Sequence, residues 1–278
     1  MSRPFIKWAG GKYRIAEKLN SFKPKDINTY FEPMVGSGGL FFSNPPKKAY
    51  LSDINSKLIN TYNVIKNKAY FQELINELYL FQDITHSKEN YLKIREAFNQ
   101  DDLNSINSAV YFIYLNKMCF NGLYRENSKG HFNVPMGDKR EFSVDEENLI
   151  KVHNALQNIE IACHSYENID PKKGDFVYFD PPYIPLDKVS FTQYSKSDFG
   201  EKDHRKLAEF CSKLDKRGVS YMISNSNTEM TKDIYMHSEQ IQSHEIQVMR
   251  TISGSRKNRG MARELIITNY NEYDGRLF

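Results

Sequence analysis

The apolar run Phe176-Val177-Tyr178-Phe179 stops at Asp180-Pro181-Pro182-Tyr183. β-branched and aromatic residues favour a strand, and neither proline carries the amide that a sheet ladder needs. The strand must end there, with a carboxylate at its C-terminal tip. In a doubly wound sheet that edge is where ligands bind. The two prolines leave carbonyls that can only accept hydrogen bonds, so the turn is rich in acceptors. An exocyclic amino group on a nucleobase is a poor nucleophile while its lone pair is delocalised into the ring. Asp180 and the Pro181 carbonyl are two acceptors able to draw that pair out of conjugation. Tyr183 offers a face on which an unstacked base can rest.

Upstream, a strand-like segment near Thr29 to Met34 runs through Phe31-Glu32-Pro33-Met34-Val35 into Gly36-Ser37-Gly38-Gly39. A short helix and a second strand near Lys48 to Ile54 come next. This is a βαβ opening, which implies a parallel sheet. Glycines at such a turn let the backbone approach a ligand. Asp53, at the end of the second strand, is placed to accept a ribose hydroxyl pair. The glycine turn alone fits a nicotinamide cofactor equally well. Near the start, Lys7-Trp8-Ala9-Gly10-Gly11-Lys12 invites a phosphate-loop reading, but Tyr13 succeeds Lys12 and the spaced upstream glycine is missing. The Walker pattern fails.

From Ser56 to about Phe120 the apolar spacing is helical, as in Leu74, Leu78 and Phe81. Residues 121–142 are polar and turn-rich, and read as a loop or hairpin. Strand-like runs return at Ile159 to Cys163, Phe176 to Phe179, Val219 to Ser224, Ile241 to Met249 and Glu264 to Asn269. The expected fold is α/β, a mostly parallel seven-stranded sheet interrupted by a helical insertion.

A chain of 278 residues with net charge +3 has no uniformly basic surface, so nucleic-acid affinity must come from local clusters. The three cysteines, Cys119, Cys163 and Cys211, are odd in number and form no C-x-x-C pair. That pattern argues against a disulfide framework or a zinc site and for a reducing, cytoplasmic setting. No apolar run reaches the ~18 residues of a membrane span. The segment Met1 to Trp8 is too short and too charged for a signal peptide.

Taken together, Phe5 to Lys12, Phe31 to Phe42, Leu51 to Asn55, Leu115 to Pro135, Gly174 to Pro185 and Tyr221 to Asn225 resemble, in order, the motifs of the Dam-type adenine-N6 DNA methyltransferases of the D12 class, alpha group. The resemblance implies a Rossmann-like methyltransferase core formed by 1–55 and 159–278, with a helical target-recognition lobe at 56–158 bearing a hairpin at 120–137. It implies S-adenosylmethionine as cofactor, lined by Trp8, Gly10, Lys12, Phe31, Glu32, Gly36, Gly38, Asp53 and Ile54, with Tyr166 against its adenine. Asp180 would be shared with the target base, and Asp180, Pro181 and Tyr183 would be catalytic. The partner is double-stranded DNA, read at GATC through Lys7 at the outer guanine and through Phe120, Asn121, Leu123, Arg125 and Pro135 of the hairpin. Neither a metal nor a membrane is implied. Some members carry an acid before the aromatic at position 166, where this chain has Ser165.

Residue chemistry supports the hairpin separately. An arginine fork bonds guanine O6 and N7 together, Asn121 can read a neighbouring edge, and an aromatic at a loop tip can wedge into a base step. As core residues, Phe120 and Leu123 would instead close the preceding helix. Downstream, Arg250, Arg256, Lys257, Arg259 and Arg263 form a stretch without an acid, suited to phosphate contact or to a solvated tip. Methylation of cytosine N4, of RNA or of a protein amide is a second reading. A non-catalytic DNA-binding module or a nicotinamide-dependent enzyme is a third. Asp180 favours adenine by resemblance, and intact Asp180 and Lys12 weigh against a module without activity.

Overall fold

The computed structural model describes residues 1–100, 105–186, 199–249 and 261–271. Among these, the strands β1 (Tyr30–Pro33), β2 (Ala49–Asp53), β3 (Ile159–Cys163), β4 (Phe176–Phe179), β5 (Ser220–Ser226), β6 (Gln242–Met249) and β7 (Met261–Thr268) form one sheet in the order β3-β2-β1-β4-β5-β7-β6. β4 pairs in parallel with β1 and β5, bringing Phe176 opposite Tyr30 and Ser220. All four residues of β4 are buried, which explains a continuous apolar run in place of alternation. The sheet is mostly parallel, as expected, with one exception: β7 runs antiparallel to both β5 and β6. The segment between β6 and β7 is too short for the helical crossover that a parallel return requires.

The helices are α1 (Ala16–Ser21), α2 (Gly39–Ser43), α3 (Ser56–Lys66), α4 (Lys68–Asp83), α5 (Lys88–Gln100), α6 (Ile106–Met118), α7 (Glu146–Ala155), α8 (Glu201–Lys216) and α9 (Glu229–Tyr235). Two compact units emerge, one from Met1–Ala16, Val35–Pro45 and Ser52–His164, the other from Glu17–Met34, Pro46–Leu51 and Ser165–Phe278.

The first unit is organised by α6, which buries Val110, Phe112, Ile113, Tyr114, Leu115 and Met118. An apolar surface all round marks a helix enclosed by others, and accounts for the lack of one clean helical stripe in this stretch. Ser105 caps it, its side chain accepting from the Ser108 amide at 2.9 Å. Phe5 meets Tyr62 of α3 edge-on, with ring centroids 5.0 Å apart.

In the second unit, α8 buries His204, Leu207, Ala208, Cys211 and Leu214, one face at helical spacing. That face packs with Val177, Phe179, Tyr221, Ile223, Leu265 and Ile267 from β4, β5 and β7. Asp203 reaches back to accept from the Gly200 amide at 2.9 Å and starts the helix. The edge where β4 ends is thereby backed by a close-packed core.

Replacing Ser105 by Ala should destabilise the chain by about 1 kcal/mol, the usual cost of losing an N-cap acceptor. Denaturant unfolding followed by circular dichroism checks this; an unchanged midpoint would mean that the cap contributes nothing to α6.

Candidate active site

The turn after β4 sits among buried acids and phenols. Glu32 in β1 is 3% exposed and accepts from the Tyr30 hydroxyl at 2.6 Å. The Tyr183 hydroxyl donates to Glu264 Oε2 of β7 at 2.8 Å, and the Tyr178 and Ser224 hydroxyls lie 2.8 Å apart. Burial first, then the charges of Asp180, Glu32 and Glu264, hold Tyr30, Tyr178 and Tyr183 well above the ordinary tyrosine range. All three stay protonated.

The residues after the prolines are anchored from the neighbouring strand and helix. Asn225 Oδ1 in β5 accepts from the Ile184 amide at 3.0 Å, and the Ser226 hydroxyl donates to the Ile184 carbonyl. Ser226 and Glu264 are cross-strand partners, so one register sets both an anchor of the backbone and an anchor of the Tyr183 ring. His204 is fully buried, with Nδ1 2.6 Å from the Tyr235 hydroxyl. Burial pushes its pKa down to about 4, opposed in part by a hydrogen bond with the Pro182 backbone. Phe31 and Tyr166 belong to the same unit's core. Phe31 stacks on Tyr50 with centroids 5.6 Å apart, and Tyr166 meets Phe179 and Phe210 edge-on.

In the other unit, the glycine turn is built for bare backbone. Gly36 is left-handed (φ 48°), and a Cβ there would lie 2.6 Å from Trp8 Cδ1. Gly38 (φ 65°) would place a Cβ 2.9 Å from Phe42 Cε2 and from the Tyr62 hydroxyl. A side chain at either position is excluded both by space and by conformation. The Gly36 amide donates to Asp53 Oδ2 at 3.1 Å and its carbonyl accepts from the Tyr62 hydroxyl at 3.0 Å. Asp53 Oδ1 takes the Asn55 amide at 2.9 Å. Burial raises the Asp53 pKa, and these amides pull it back. Ile54 beside it is 78% exposed, an apolar surface at the strand's end. Lys12 is buried, with Nζ donating to the Gly10 carbonyl at 2.6 Å. Trp8 stacks on Tyr124 and Phe112, centroids 5.4 and 6.4 Å away.

The hairpin of the same unit closes through bridges between Cys119 and Met136 and between Glu126 and Phe132. Phe120 is 43% exposed and so does not close the helix as a core residue. Asn121 is left-handed (φ 57°), a conformation that asparagine tolerates better than other side-chain-bearing residues. Arg125 is exposed, and its Nε donates to Asn133 Oδ1 at 2.7 Å, which orients the guanidinium. Leu123 is half-buried and Pro135 exposed. Arg250, Arg256, Lys257 and Arg259 lie outside the described residues. Among the described residues no cluster of His, Cys, Asp and Glu could hold a metal, and no helix is long and apolar enough to cross a membrane.

The family model for D12 class N6 adenine-specific DNA methyltransferases matches residues 8–252. This chain belongs to that family. It is 40% identical to the type II methyltransferase M.MjaIII of Methanocaldococcus jannaschii over 96% of this chain and 99% of that one. It is 38% identical to M1.LlaDCHI of Lactococcus lactis over 96% and 95% of the two chains. The DNA adenine methylase of Escherichia coli K12 is 34% identical over 95% and 94%. The chain is thus an adenine-specific DNA methyltransferase of the D12 class, with an acceptor-rich turn and a glycine cradle as its two chemically distinctive features.

Sequence reasoning missed His204, Asn225, Ser226 and Glu264 as supports of the turn. Asn225, Ser226 and Glu264 are polar residues within strand segments, and His204 is an imidazole on the apolar stripe of a charged helix; each becomes meaningful only once the elements are packed. In the folded state His204 is held neutral, whereas unfolded it charges near its ordinary value of 6.5. The unfolded chain therefore binds more protons between pH 6.5 and about 4, and stability falls as pH drops through that window. His204→Leu should be less stable at neutral pH yet lose less on acidification, by up to about 3 kcal/mol at about 1.4 per unit. Unfolding titrations at both ends of the window check this, and parallel slopes for the two proteins would contradict it.

Proposed function

We propose that this adenine-specific DNA methyltransferase modifies N6 of an adenine flipped out of double-stranded DNA at GATC, with S-adenosylmethionine as donor. The observation that carries this reading is the anchored acceptor turn. Asp180 and the Pro181 carbonyl supply two acceptors with no amide to compete for the base's N–H groups, and Asn225, Ser226 and Glu264 fix Tyr183 and Ile184 just beyond them.

The glycine turn fits the nucleoside end of the cofactor. Gly36 and Gly38 offer backbone that a Cβ would obstruct, Asp53 keeps lone pairs for ribose hydroxyls, and exposed Ile54 suits an adenine face. Trp8, Gly10, Lys12, Phe31, Glu32 and Tyr166 are assigned to the same cofactor by family resemblance. When bound, the cofactor's sulfonium supplies an electrophilic methyl group. The protein's part is to hold N6 with its lone pair localised and in line, and such positioning can account for much of a barrier. Tyr183 stacks the base while Glu264 holds its hydroxyl, so the ring cannot rotate away.

Target choice belongs to the helical lobe at 56–158. Arg125, oriented by Asn133, presents a fork to guanine, Phe120 wedges at the vacated step, and Asn121, Leu123, Pro135 and Lys7 complete the reading surface. Arg256, Lys257 and Arg259 are assigned to backbone phosphates.

Incubating the protein with plasmid DNA and S-adenosylmethionine, then mapping modified adenines, should place them within GATC; another consensus would overturn the site. Asp180→Ala should lower the single-turnover rate on the order of a hundredfold, as when one preorganised polar group is removed from a reacting centre. An unchanged rate would remove Asp180 from the chemistry. Arg125→Ala should cut discrimination against a changed outer pair by about 1–3 kcal/mol, and Arg125→Lys should restore only part. Measured as kcat/KM on short duplexes at one salt concentration, an equal loss on every duplex would make Arg125 a phosphate contact.

A further inference from the structure

Asn116 stands in the last turn of α6, 2% exposed, directly after the apolar run Ala109–Leu115. A buried amide is costly unless its donors and acceptor are used. Its Oδ1 accepts from the Lys7 amide at 2.8 Å, and its Nδ2 donates to the Lys7 carbonyl at 2.8 Å and to the Gly122 carbonyl at 3.3 Å. One side chain therefore fastens the N-terminal segment to the hairpin turn, joining positions far apart in the chain.

A second contact reinforces the first. Gly122 is left-handed (φ 67°), and a Cβ there would lie 2.5 Å from Lys7 Cδ and 2.7 Å from Lys7 Cβ. The aliphatic stem of Lys7 runs along bare backbone at the position between Asn121 and Leu123. Clashes with the root of the stem cannot be relieved by swinging its far end. The Lys7 ammonium is thus delivered beside the hairpin by two constraints, an amide that holds its backbone and a missing side chain that admits its stem.

We propose that Asn116 is a positioning residue for sequence discrimination. It locks Lys7 in register with Asn121, Leu123 and Arg125, so that one rigid surface reads both ends of the target site. This rests on the proposed role of Lys7 and the hairpin as readers. Adjacent base pairs are only about 3.4 Å apart along the duplex. Reader groups that drift relative to one another by a fraction of that distance lose the geometry that separates one base edge from another. The acceptor turn and the glycine cradle make no hydrogen bond with Asn116, so chemistry on the correct site should survive its loss.

The test compares wild type, Asn116→Asp, Gly122→Ala and Lys7→Ala on duplexes carrying GATC or a single change in its outer pair. Asp at position 116 keeps the acceptor for the Lys7 amide and loses both donations. The expected result is that Asn116→Asp and Gly122→Ala each lower the ratio of cognate to altered kcat/KM by about tenfold or more, the scale of one lost base-edge contact. Single-turnover kcat on GATC should stay within about threefold of wild type. Lys7→Ala should lose the same discrimination. A destabilised but correctly assembled surface would lower both duplexes together and would overturn the proposal. So would full discrimination in Asn116→Asp and Gly122→Ala while Lys7→Ala loses it; the reader assignment would then stand without Asn116. If Lys7→Ala itself keeps full discrimination, Lys7 is not a reader and both assignments fall. Should Asn116→Asp fail to fold, Gly122→Ala decides the question from the opposite side of the contact.

Discussion

Two adjacent prolines at the end of β4 deprive the turn of the amides by which a loop normally ties itself to its surroundings. The same absence that leaves the turn rich in acceptors leaves it mechanically unsupported. Everything packed around it answers that constraint. Asn225 and Ser226 hold the first residue after Tyr183 by its own amide and carbonyl, His204 meets the backbone of the second proline, and Glu264 holds the Tyr183 hydroxyl. These supports come from β5, β7 and α8, so the rigidity of the turn is borrowed from the core behind it.

The antiparallel placement of β7 gains a purpose here. Inserted beside β5, it sets Glu264 directly across from Ser226. A slip of one residue would turn Glu264 to the opposite face. It would leave a phenol and a carboxylate buried apart, each without the partner that offsets its desolvation. The dense apolar face formed by Leu265, Ile267 and their neighbours makes that slip expensive, and the polar pair inherits its accuracy from the hydrophobic register.

Much of this was legible before folding. β3 and β4 fall on the runs that marked them, β4 because a strand buried throughout carries uninterrupted hydrophobic residues, and the glycine turn lies where a strand meets Gly36. α8 was readable in principle from His204, Leu207, Cys211 and Leu214, yet its charged outer face draws attention away from that stripe. The direction of β7 was not readable, since alternation reports burial and not orientation. Nor were Asn225, Ser226, Glu264 and Asn116, whose roles arise from partners up to 109 positions away and leave no local signature. Lys12 likewise turns its ammonium back onto the Gly10 carbonyl, a contact that no spacing announces.

Trp8 is the only tryptophan in the chain, and its ring edge lies where a side chain on Gly36 would have to go. Both of its stacking partners, Phe112 and Tyr124, absorb and emit at shorter wavelength than indole. Light absorbed selectively at the red edge therefore reports from one place, the contact between the N-terminal segment and the glycine turn. The molecule carries its own optical probe, already in position, and a change at that contact can be followed by emission without attaching a dye.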